Sequence, residues 1–257
     1  MPLSPVTLSP LAAVVIFLAG VAAGTANGIV GAGSLITFPT LLAVGYAPVV
    51  ANVSNTVGIT FGAMSGAVGY RRELAGQRRR VLTLATASVP GGITGGVLLL
   101  TLPSSVFRDV VPVLILVACA LVVAGPRLGA LVAARRDREV GHGGPVLWFT
   151  IFLTGVYGGY FGAAQGVILL ALLGIFLADD LHRLNGVKNV LAFVANGIAA
   201  VLFVVVADVA WLVVVLVAAG SVVGAQVGAH VGRRLPPGVL RALIVTVGVV
   251  AAVRLLT

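Results

Sequence analysis

Long apolar runs, separated by short polar or glycine-rich segments, dominate the pattern along the chain. An α-helix needs about 20 apolar residues to cross the hydrocarbon of a bilayer, and most of the runs approach that length. The runs at 34–45 and 166–178 are too short to span comfortably. The pattern predicts an all-α, polytopic membrane protein in one membrane domain. The runs lie at 11–31, 34–45, 49–69, 81–101, 106–125, 146–160, 166–178, 184–206, 209–231 and 239–256.

Each short run follows a glycine-rich interruption, GTANGIVGAGS at 24–34 and GVYGGYFGAAQG at 155–166. Glycine permits tight bends, and a broken backbone at membrane depth is tolerated only where it is buried in protein or faces a cavity. We therefore predict a broken helix at each interruption. The two interruptions align with Gly28 opposite Gly159, Gly31 opposite Gly162, and Ser34 opposite Gln165.

The alignment extends to the polar segments that follow, at 50–66 and 183–197. It predicts a duplication, with a first repeat at about 1–125 and a second at about 146–257. A cytoplasmic linker at about 126–145 would join them. The Arg-rich segments at 70–80 and 126–139 are expected in the cytoplasm because basic loops resist translocation.

Loop charge is inverted between the two halves. The counterpart of the basic 70–80 loop is 206–210, which has an acid and no base, and the counterpart of the uncharged 102–105 loop is the basic 232–237 segment. This predicts two inverted repeats of about four to five transmembrane segments each, with 179–183 in the cytoplasm and both chain ends outside. Repeats of this kind are typical of alternating-access transporters, whose substrate site lies at the repeat interface.

Composition supports the membrane assignment. Hydrophobic residues make up 60% of the 257 positions and charged residues 9%, with a mean hydropathy of +1.17, which excludes an ordinary soluble domain. The amino end has no basic residue before its first run, so that run is expected to be retained as a helix. We expect a multi-pass protein of a bacterial or archaeal cell (inner) membrane.

The formal charge of +9 does not indicate a nucleic-acid partner, because the basic residues form short clusters between apolar runs. The single cysteine and three scattered histidines offer no metal or nucleophile constellation. The seven acidic residues all lie at the ends of predicted spans or in loops. We therefore expect no enzyme activity, metal, cofactor or buried carboxylate relay.

Two copies of a glycine-rich break followed by a polar segment carry a family resemblance. The stretches are GIVGAGSLITFPTLL at 28–42 with ANVSNTVG at 51–58, and YGGYFGAAQGVILLALL at 157–173 with LNGVKNV at 184–190. They resemble the sulfite exporter TauE/SafE family, also described as the TSUP permeases. The resemblance implies transport of sulfur-containing anions such as sulfite, sulfoacetate or other organosulfonates. This chain reads GAGS and AAQG where the family often keeps glycine, which leaves the substrate least defined.

The candidate site follows from what an anion needs inside a membrane, namely hydrogen-bond donors and the amino ends of half-helices. The alternatives are that the glycines only pack helices, that the polar residues at 52–56 and 185–189 face headgroups, and that Lys188, the only lysine, snorkels to the interface as an anchor. The candidate substrate-binding residues are Asn27, Gly31, Ser34, Thr37, Asn52, Ser54, Asn55, Thr56, Tyr157, Tyr160, Gly162, Gln165, Asn185, Lys188 and Asn189.

The sequence thus favours a secondary transporter of small anions working by alternating access. A passive anion channel and a non-transport membrane scaffold are the alternatives. The expected partners are a small anionic substrate and the lipid bilayer, and a homo-oligomer is compatible with this composition.

Overall fold

The computed structural model describes residues 8–133, 144–231 and 237–256, and within them it contains ten α-helices and no strand. The all-α prediction is confirmed, and each helix falls on one of the predicted apolar runs. The helices are α1 (Pro10–Ile29), α2 (Ser34–Val44), α3 (Pro48–Gly69), α4 (Arg78–Thr101), α5 (Ser104–Ala133), α6 (Gly144–Tyr160), α7 (Gln165–Phe176), α8 (Leu181–Val206), α9 (Trp211–Val231) and α10 (Pro237–Leu256).

Local signals set several of the helix boundaries. Pro10 and Pro48 occupy the first turns of α1 and α3, where a missing N–H costs nothing. The side chain of Ser9 caps α1, and that of Asp180 caps α8. Helix α2 ends at Gly45, whose φ of 105° is the left-handed conformation typical of a helix carboxyl end.

Helix α5 extends further than its apolar run predicts. The run ends at 125, whereas the helix passes through Pro126 and continues to Ala133, because most of the residues that follow the proline are Leu and Ala, which favour helix. The beginning of the predicted linker is therefore helical. Its remainder at 134–143, and most of the basic segment at 232–237, lie outside the described residues.

Five of the described helices are long and apolar enough to cross a membrane, judged by length and composition. Helices α2 and α7 are short and apolar, with 11 and 12 residues, which confirms the prediction of two short segments. The five spans are Pro10–Ile29, Arg78–Thr101, Ser104–Arg127, Leu181–Val206 and Trp211–Gly228.

The helix pairings repeat between the two halves. Helix α1 packs on α9 as α6 packs on α4, and α3 packs on α9 as α8 packs on α4. Helices α3 and α8 also pack on each other, as do α5 and α10. We equate α1 with α6, α2 with α7, α3 with α8, α4 with α9 and α5 with α10. Each of these pairings then corresponds either to another of the pairings or to itself. This is the pattern that a duplicated five-helix unit produces.

Close glycine contacts show how these helices are directed. Along α3, Gly58 faces Val217 and Gly62 faces Ser221, so α3 and α9 are parallel. In contrast, Thr60 lies beside Gly197 of α8 and Gly66 lies beside Asn189, so the corresponding helices α3 and α8 run antiparallel. Opposite orientation of the two halves in the membrane stays a prediction, which these directions support.

Candidate substrate-binding site

The two glycine-rich breaks begin with the same backbone turn and differ just before the next helix, where Gly33 has a φ of −62° and Ala164 a φ of 56°. Gly31 and Gly162 have φ values of 80° and 73°, in the left-handed region that favours glycine. At the first break, the N–H groups of Gly31 and of the residue before it both donate to the Ala26 carbonyl, at 2.9 and 2.7 Å. At the second, the corresponding N–H groups both donate to the Tyr157 carbonyl, at 3.0 and 2.9 Å. A left-handed glycine thus ends α1 and α6 in the same way.

The first break also touches the start of α7. The Gly166 N–H donates to the Gly31 carbonyl at 3.1 Å. A β-carbon added to Gly31 would lie 2.6 Å from the Gly166 α-carbon, well inside van der Waals contact. Gly31 is therefore required both for its backbone conformation and for this contact between the halves.

A cavity of about 40 Å³ lies where the broken helices meet α3, α8 and α9. One water needs about 10–15 Å³ by this measure, so the cavity accommodates about three waters or one compact polar group. Ser34 and Gln165, the first residues of α2 and α7, both line it. Its polar side chains are those of Asn27, Ser34, Gln165, Lys188, Asn189 and Asn196.

Lys188 brings a buried positive charge to this cavity. The residue is only 1% exposed, which excludes the alternative that its ammonium snorkels to the interface. Its Nζ donates to the Asn27 carbonyl at 3.2 Å, in the last turn of α1. An ammonium has three donors, and within the described residues this is its one hydrogen bond and no carboxylate pairs with it. Two donors therefore remain for a ligand.

Asn189 adds a further donor beside Lys188. The residue is 6% exposed, and its amide nitrogen Nδ2 is buried without a hydrogen-bond partner. A buried N–H without an acceptor costs about 1–3 kcal/mol. The surroundings of Lys188 and Asn189 thus contain more donors than acceptors, which is the arrangement that an anion completes.

The amino ends of the two half-helices reinforce this preference. The first N–H groups of a helix carry partial positive charge and favour anions. The turn before α2 is held by Asn27, whose side-chain oxygen accepts from the Gly33 N–H at 2.7 Å. The first residue of one half-helix from each half of the chain therefore lines the same cavity.

The structure brings part of the predicted set together in this cavity, and that part contains residues from both halves. The lining includes Asn27, Gly31, Ser34, Gly162, Gln165, Lys188 and Asn189. The other predicted residues do not line it, namely Thr37, Asn52, Ser54, Asn55, Thr56, Tyr157, Tyr160 and Asn185. Most of these other residues instead form hydrogen bonds that hold the two breaks in place.

A short hydrogen-bonded chain holds Ser34. The Thr37 hydroxyl donates to the side-chain oxygen of Asn55, whose Nδ2 donates to the Ser34 Oγ at 3.3 Å. Thr37 and Asn55 are both fully buried behind the cavity wall. Ser54 points elsewhere, since its hydroxyl accepts from the Ala210 N–H at the start of α9. Of these two neighbours, therefore, only Asn55 is bonded to a side chain that lines the cavity.

Two asparagines at corresponding positions bind the carbonyls at the ends of the broken helices. Asn185 donates to the Gly28 carbonyl at 3.3 Å, and Asn52 donates to the Tyr160 carbonyl at 2.9 Å. These bonds satisfy carbonyls that have no partner inside a helix. Both asparagines thus connect a central helix of one half to the break of the other.

The remaining predicted residues have structural contacts. The Tyr157 hydroxyl donates to the Ala163 carbonyl across the second break. The Tyr160 ring packs edge-on against Phe107, with centroids 5.6 Å apart. Thr56 is buried within α3. None of these three side chains lines the cavity. Their predicted role in substrate binding stays a prediction.

Comparison with known proteins matches this architecture to a family. The model of the sulfite exporter TauE/SafE family matches residues 16–255. The chain belongs to the TauE/SafE family. It is 26% identical over 250 residues, 97% of this chain and 91% of the relative, to the "Probable membrane transporter protein YfcA" of Escherichia coli strain K12. It is 27% identical over 231 residues, 90% of this chain and 89% of the relative, to a "Probable membrane transporter protein" of Haemophilus influenzae. No solved structure matches the chain.

These matches confirm that the chain is a multi-pass membrane transporter and not an enzyme. The structure shows how the Gln165 side chain fits beside the second break. A β-carbon added to Gly158 would lie 2.2 Å from the Gln165 amide nitrogen. Gly158 therefore makes room for the Gln165 side chain, and the two residues form a matched pair in this TauE/SafE protein.

Sequence reasoning missed Asn196, which lines the cavity of this TauE/SafE transporter. Its Nδ2 donates to the Gln165 side-chain oxygen at 3.1 Å, and the Gln165 Nε2 approaches the Thr154 carbonyl at 3.4 Å. Asn196 therefore orients Gln165. A signal was present, because Asn196 follows Asn189 by two helical turns and so lies on the same face of α8.

A charged cluster lies at the end of the transporter where α3 ends and α8 begins. Asp179 pairs with Arg80 and, at 3.0 Å, with Arg183. Burial alone would raise the pKa of Asp179, but hydrogen bonds and the charges of the two arginines lower its pKa below the usual value. The cluster joins the 70–80 loop to the 179–183 segment, so these two segments lie at the same end, as their charges predict.

Proposed function

We propose that this TauE/SafE protein is a secondary transporter of small anions, sulfur oxyanions such as sulfite or the sulfonate groups of sulfoacetate and other organosulfonates, in a bacterial or archaeal cell (inner) membrane. One observation carries the proposal. A buried ammonium, an unpartnered amide N–H₂ and the first residues of two half-helices surround one cavity, and no acidic residue of the described ranges lines it.

The size of the cavity narrows the substrate class. At about 40 Å³ it has room for a compact head group and not for a bulky organic anion. A sulfite or sulfonate group offers three oxygens as acceptors. The two unused N–H donors of Lys188 and the two of the Asn189 N–H₂ provide four donors for these three oxygens. An organosulfonate would have to place its organic part beyond the present cavity wall.

The helix arrangement supports alternating access. The site is divided between the halves, with Asn27 and Ser34 on one side and Gln165 and Lys188 on the other. The contact between Gly31 and Gly166 also crosses from one half to the other. Rocking of one repeat against the other would open and close the cavity at this contact.

The orientation can be tested by cysteine accessibility. Ala75 is exposed in the basic loop, so Ala75→Cys on a Cys119→Ala background provides a reporter. We expect a membrane-impermeant maleimide to label it in inside-out vesicles and not in intact cells. Labelling in intact cells would contradict the inverted-repeat arrangement.

The transport proposal is tested by solute counterflow in proteoliposomes. Radiolabelled sulfite outside should accumulate transiently when the vesicles are preloaded with unlabelled sulfite, and sulfoacetate should compete. Sulfate, thiosulfate and acetate define the selectivity. Saturable flux with trans-stimulation supports the transporter, whereas flux that rises linearly with concentration and carries an ohmic current supports an anion channel. Protein-dependent flux of none of these anions would contradict the proposed function.

A further inference from the structure

A second cavity lies next to the cavity lined by Lys188, which we call the anion cavity. The unpartnered buried atoms of the second cavity are acceptors, whereas that of the anion cavity is a donor. The second cavity has a volume of about 200 Å³, and it shares Gly28 with the first. It is formed where the end of α1 meets the loop after α3 and the start of α8. The described lining is Gly28, Ile29, Gly69, Tyr70, Glu73, Leu170, Leu181, His182, Asn185 and Gly228.

Two of the buried acceptors that line this second cavity have no hydrogen-bond partner in the described structure. The carboxylate oxygen Oε2 of Glu73 is buried and has no hydrogen-bond partner, and the same holds for the side-chain oxygen Oδ1 of Asn185. Asn185 is 9% exposed. Its Nδ2 is bonded to the Gly28 carbonyl, so the amide presents its oxygen, not its nitrogen, as the free group. Buried acceptors of this kind need a donor or a cation, and one proton or monovalent cation bound between them would serve both.

The end of α1 adds to the negative character. Gly28 and Ile29, which line the cavity, are the last two residues of this helix. The carboxyl end of a helix carries partial negative charge, and the carboxyl ends of broken helices bind sodium ions or protons in secondary transporters. The other polar side chains that line the cavity belong to Tyr70 and His182, whereas the buried Lys188 lines the anion cavity.

We propose that Glu73, Asn185 and the last turn of α1 form a binding site for the monovalent cation, a proton or Na⁺, that drives anion transport. This inference rests on the proposed anion transport and names its coupling ion. A cation here would neutralise the Glu73 carboxylate and provide Asn185 Oδ1 with a partner.

The contacts also explain how the two sites communicate. Lys188 binds the carbonyl of Asn27, and Asn185 binds the carbonyl of Gly28, the next residue of α1. An anion that attracts the ammonium and a cation that attracts the Asn185 oxygen therefore act on one helical turn. Each ligand biases the position of that turn, which provides the differential contact that coupling needs.

The test compares Glu73→Gln with Asp208→Asn, which removes the exposed acid in the corresponding loop of the second half. Proteoliposomes are assayed for sulfite counterflow and for sulfite accumulation driven by an inward proton gradient or an inward sodium gradient. We expect Glu73→Gln to keep counterflow and to lose cation-driven accumulation by about tenfold or more. Asp208→Asn should behave as wild type in both assays.

The two gradients identify the ion, and a binding assay separates this inference from the proposed function. Purified wild-type protein should gain thermal stability either in sodium chloride relative to choline chloride, or at acidic relative to alkaline pH in the absence of sodium. Glu73→Gln should lose that response and Asp208→Asn should keep it. The inference is overturned if neither condition stabilises the wild type, if Glu73→Gln responds equally, or if that variant still accumulates sulfite on a gradient. Loss of counterflow in the wild type would instead overturn the proposed function.

Discussion

The two breaks share the backbone turn that ends the first helix, and they differ in side-chain chemistry. Both end a helix with a left-handed glycine, and both have a carbonyl bound by an asparagine from the other half. At the first break, however, Lys188 binds a further carbonyl. The corresponding position in the first half is Asn55, which holds Ser34 and Thr37 instead. The duplication thus provides the scaffold, and divergence at a few positions places the charge on one side.

The same contrast extends to the ends of the molecule. At one end, Asp179, Arg80 and Arg183 join the basic loop to the start of α8. At the other end, a neutral bond joins the Ser54 side chain in α3 to the backbone of Ala210. Among the described residues, these ion pairs therefore lie at the end of the molecule that contains the second cavity, which Glu73 lines.

The largest expected effect concerns Gly31, where Gly31→Ala combines an unfavourable φ with a clash against Gly166. Gly45→Ala is the matched control, because its φ is 105° but nothing lies near the added carbon. We expect the control to cost about 1–2 kcal/mol and Gly31→Ala about 3 kcal/mol or more. Thermal unfolding in detergent measures both, and equal losses would show that the contact between the halves contributes nothing.

The next effect sharpens the difference between Lys188 and Asn55. Lys188→Gln removes a charge-assisted contact worth about 1.5–3 kcal/mol, which would raise the half-saturation concentration for sulfite by about ten- to a hundredfold. Lys188→Arg should restore only part of the affinity, since a planar guanidinium does not replace a compact ammonium. Initial rates of sulfite counterflow give the concentrations. Unchanged affinity with a lower membrane yield would make Lys188 a purely structural helix cap.

A smaller effect is expected at Asn189, and its sign distinguishes binding from folding. Asn189→Ala removes a donor that has no partner in the protein, so unfolding should not become easier. Sulfite affinity should fall by about fivefold, corresponding to a neutral hydrogen bond of about 1 kcal/mol. Thermal unfolding and counterflow are measured on the same preparations. A destabilised variant with unchanged affinity would contradict the assignment.

The smallest effect concerns the charged end. Because the pKa of Asp179 is lowered in the folded protein, its ion pairs stabilise the fold above the usual pKa of an aspartate. That contribution is lost as the pH falls through the lowered value. Partly exposed pairs contribute about 0.2–1 kcal/mol. Asp179→Asn should therefore lower the melting temperature slightly at neutral pH and not at strongly acidic pH. An equal loss at both pH values would show that the charge is irrelevant.

Much of the fold follows from the sequence, because membrane helices are long and apolar and their breaks require glycine. The correspondence of Gly31 with Gly162 predicted a broken helix in each half, and the structure confirms this, since both residues are left-handed. The end of α5 was not predictable from its apolar run, since Pro126 is a local signal for a stop that the surrounding helix overrides.

The site was harder to predict, because a polar residue on a membrane helix faces a cavity only if its neighbours leave one. Asn185 and Asn189 are one turn apart on α8 and contribute to different cavities. Asn196 was missed because it stands alone in an apolar span. Glu73 lies in a loop, and nothing in its local sequence shows that one of its oxygens is buried.

The claim that the cavity around Lys188 binds an anion is tested most directly by equilibrium binding of sulfite to the purified transporter. Binding is measured as thermal stabilisation over a range of sulfite concentrations. Chloride and neutral solutes serve as controls, and the variants are Lys188→Gln and Asp208→Asn. We predict that sulfite stabilises the wild type and Asp208→Asn saturably. In Lys188→Gln, half-maximal stabilisation should need a sulfite concentration at least about tenfold higher. Equal stabilisation of the wild type and Lys188→Gln would contradict the claim that the cavity around Lys188 binds the anion.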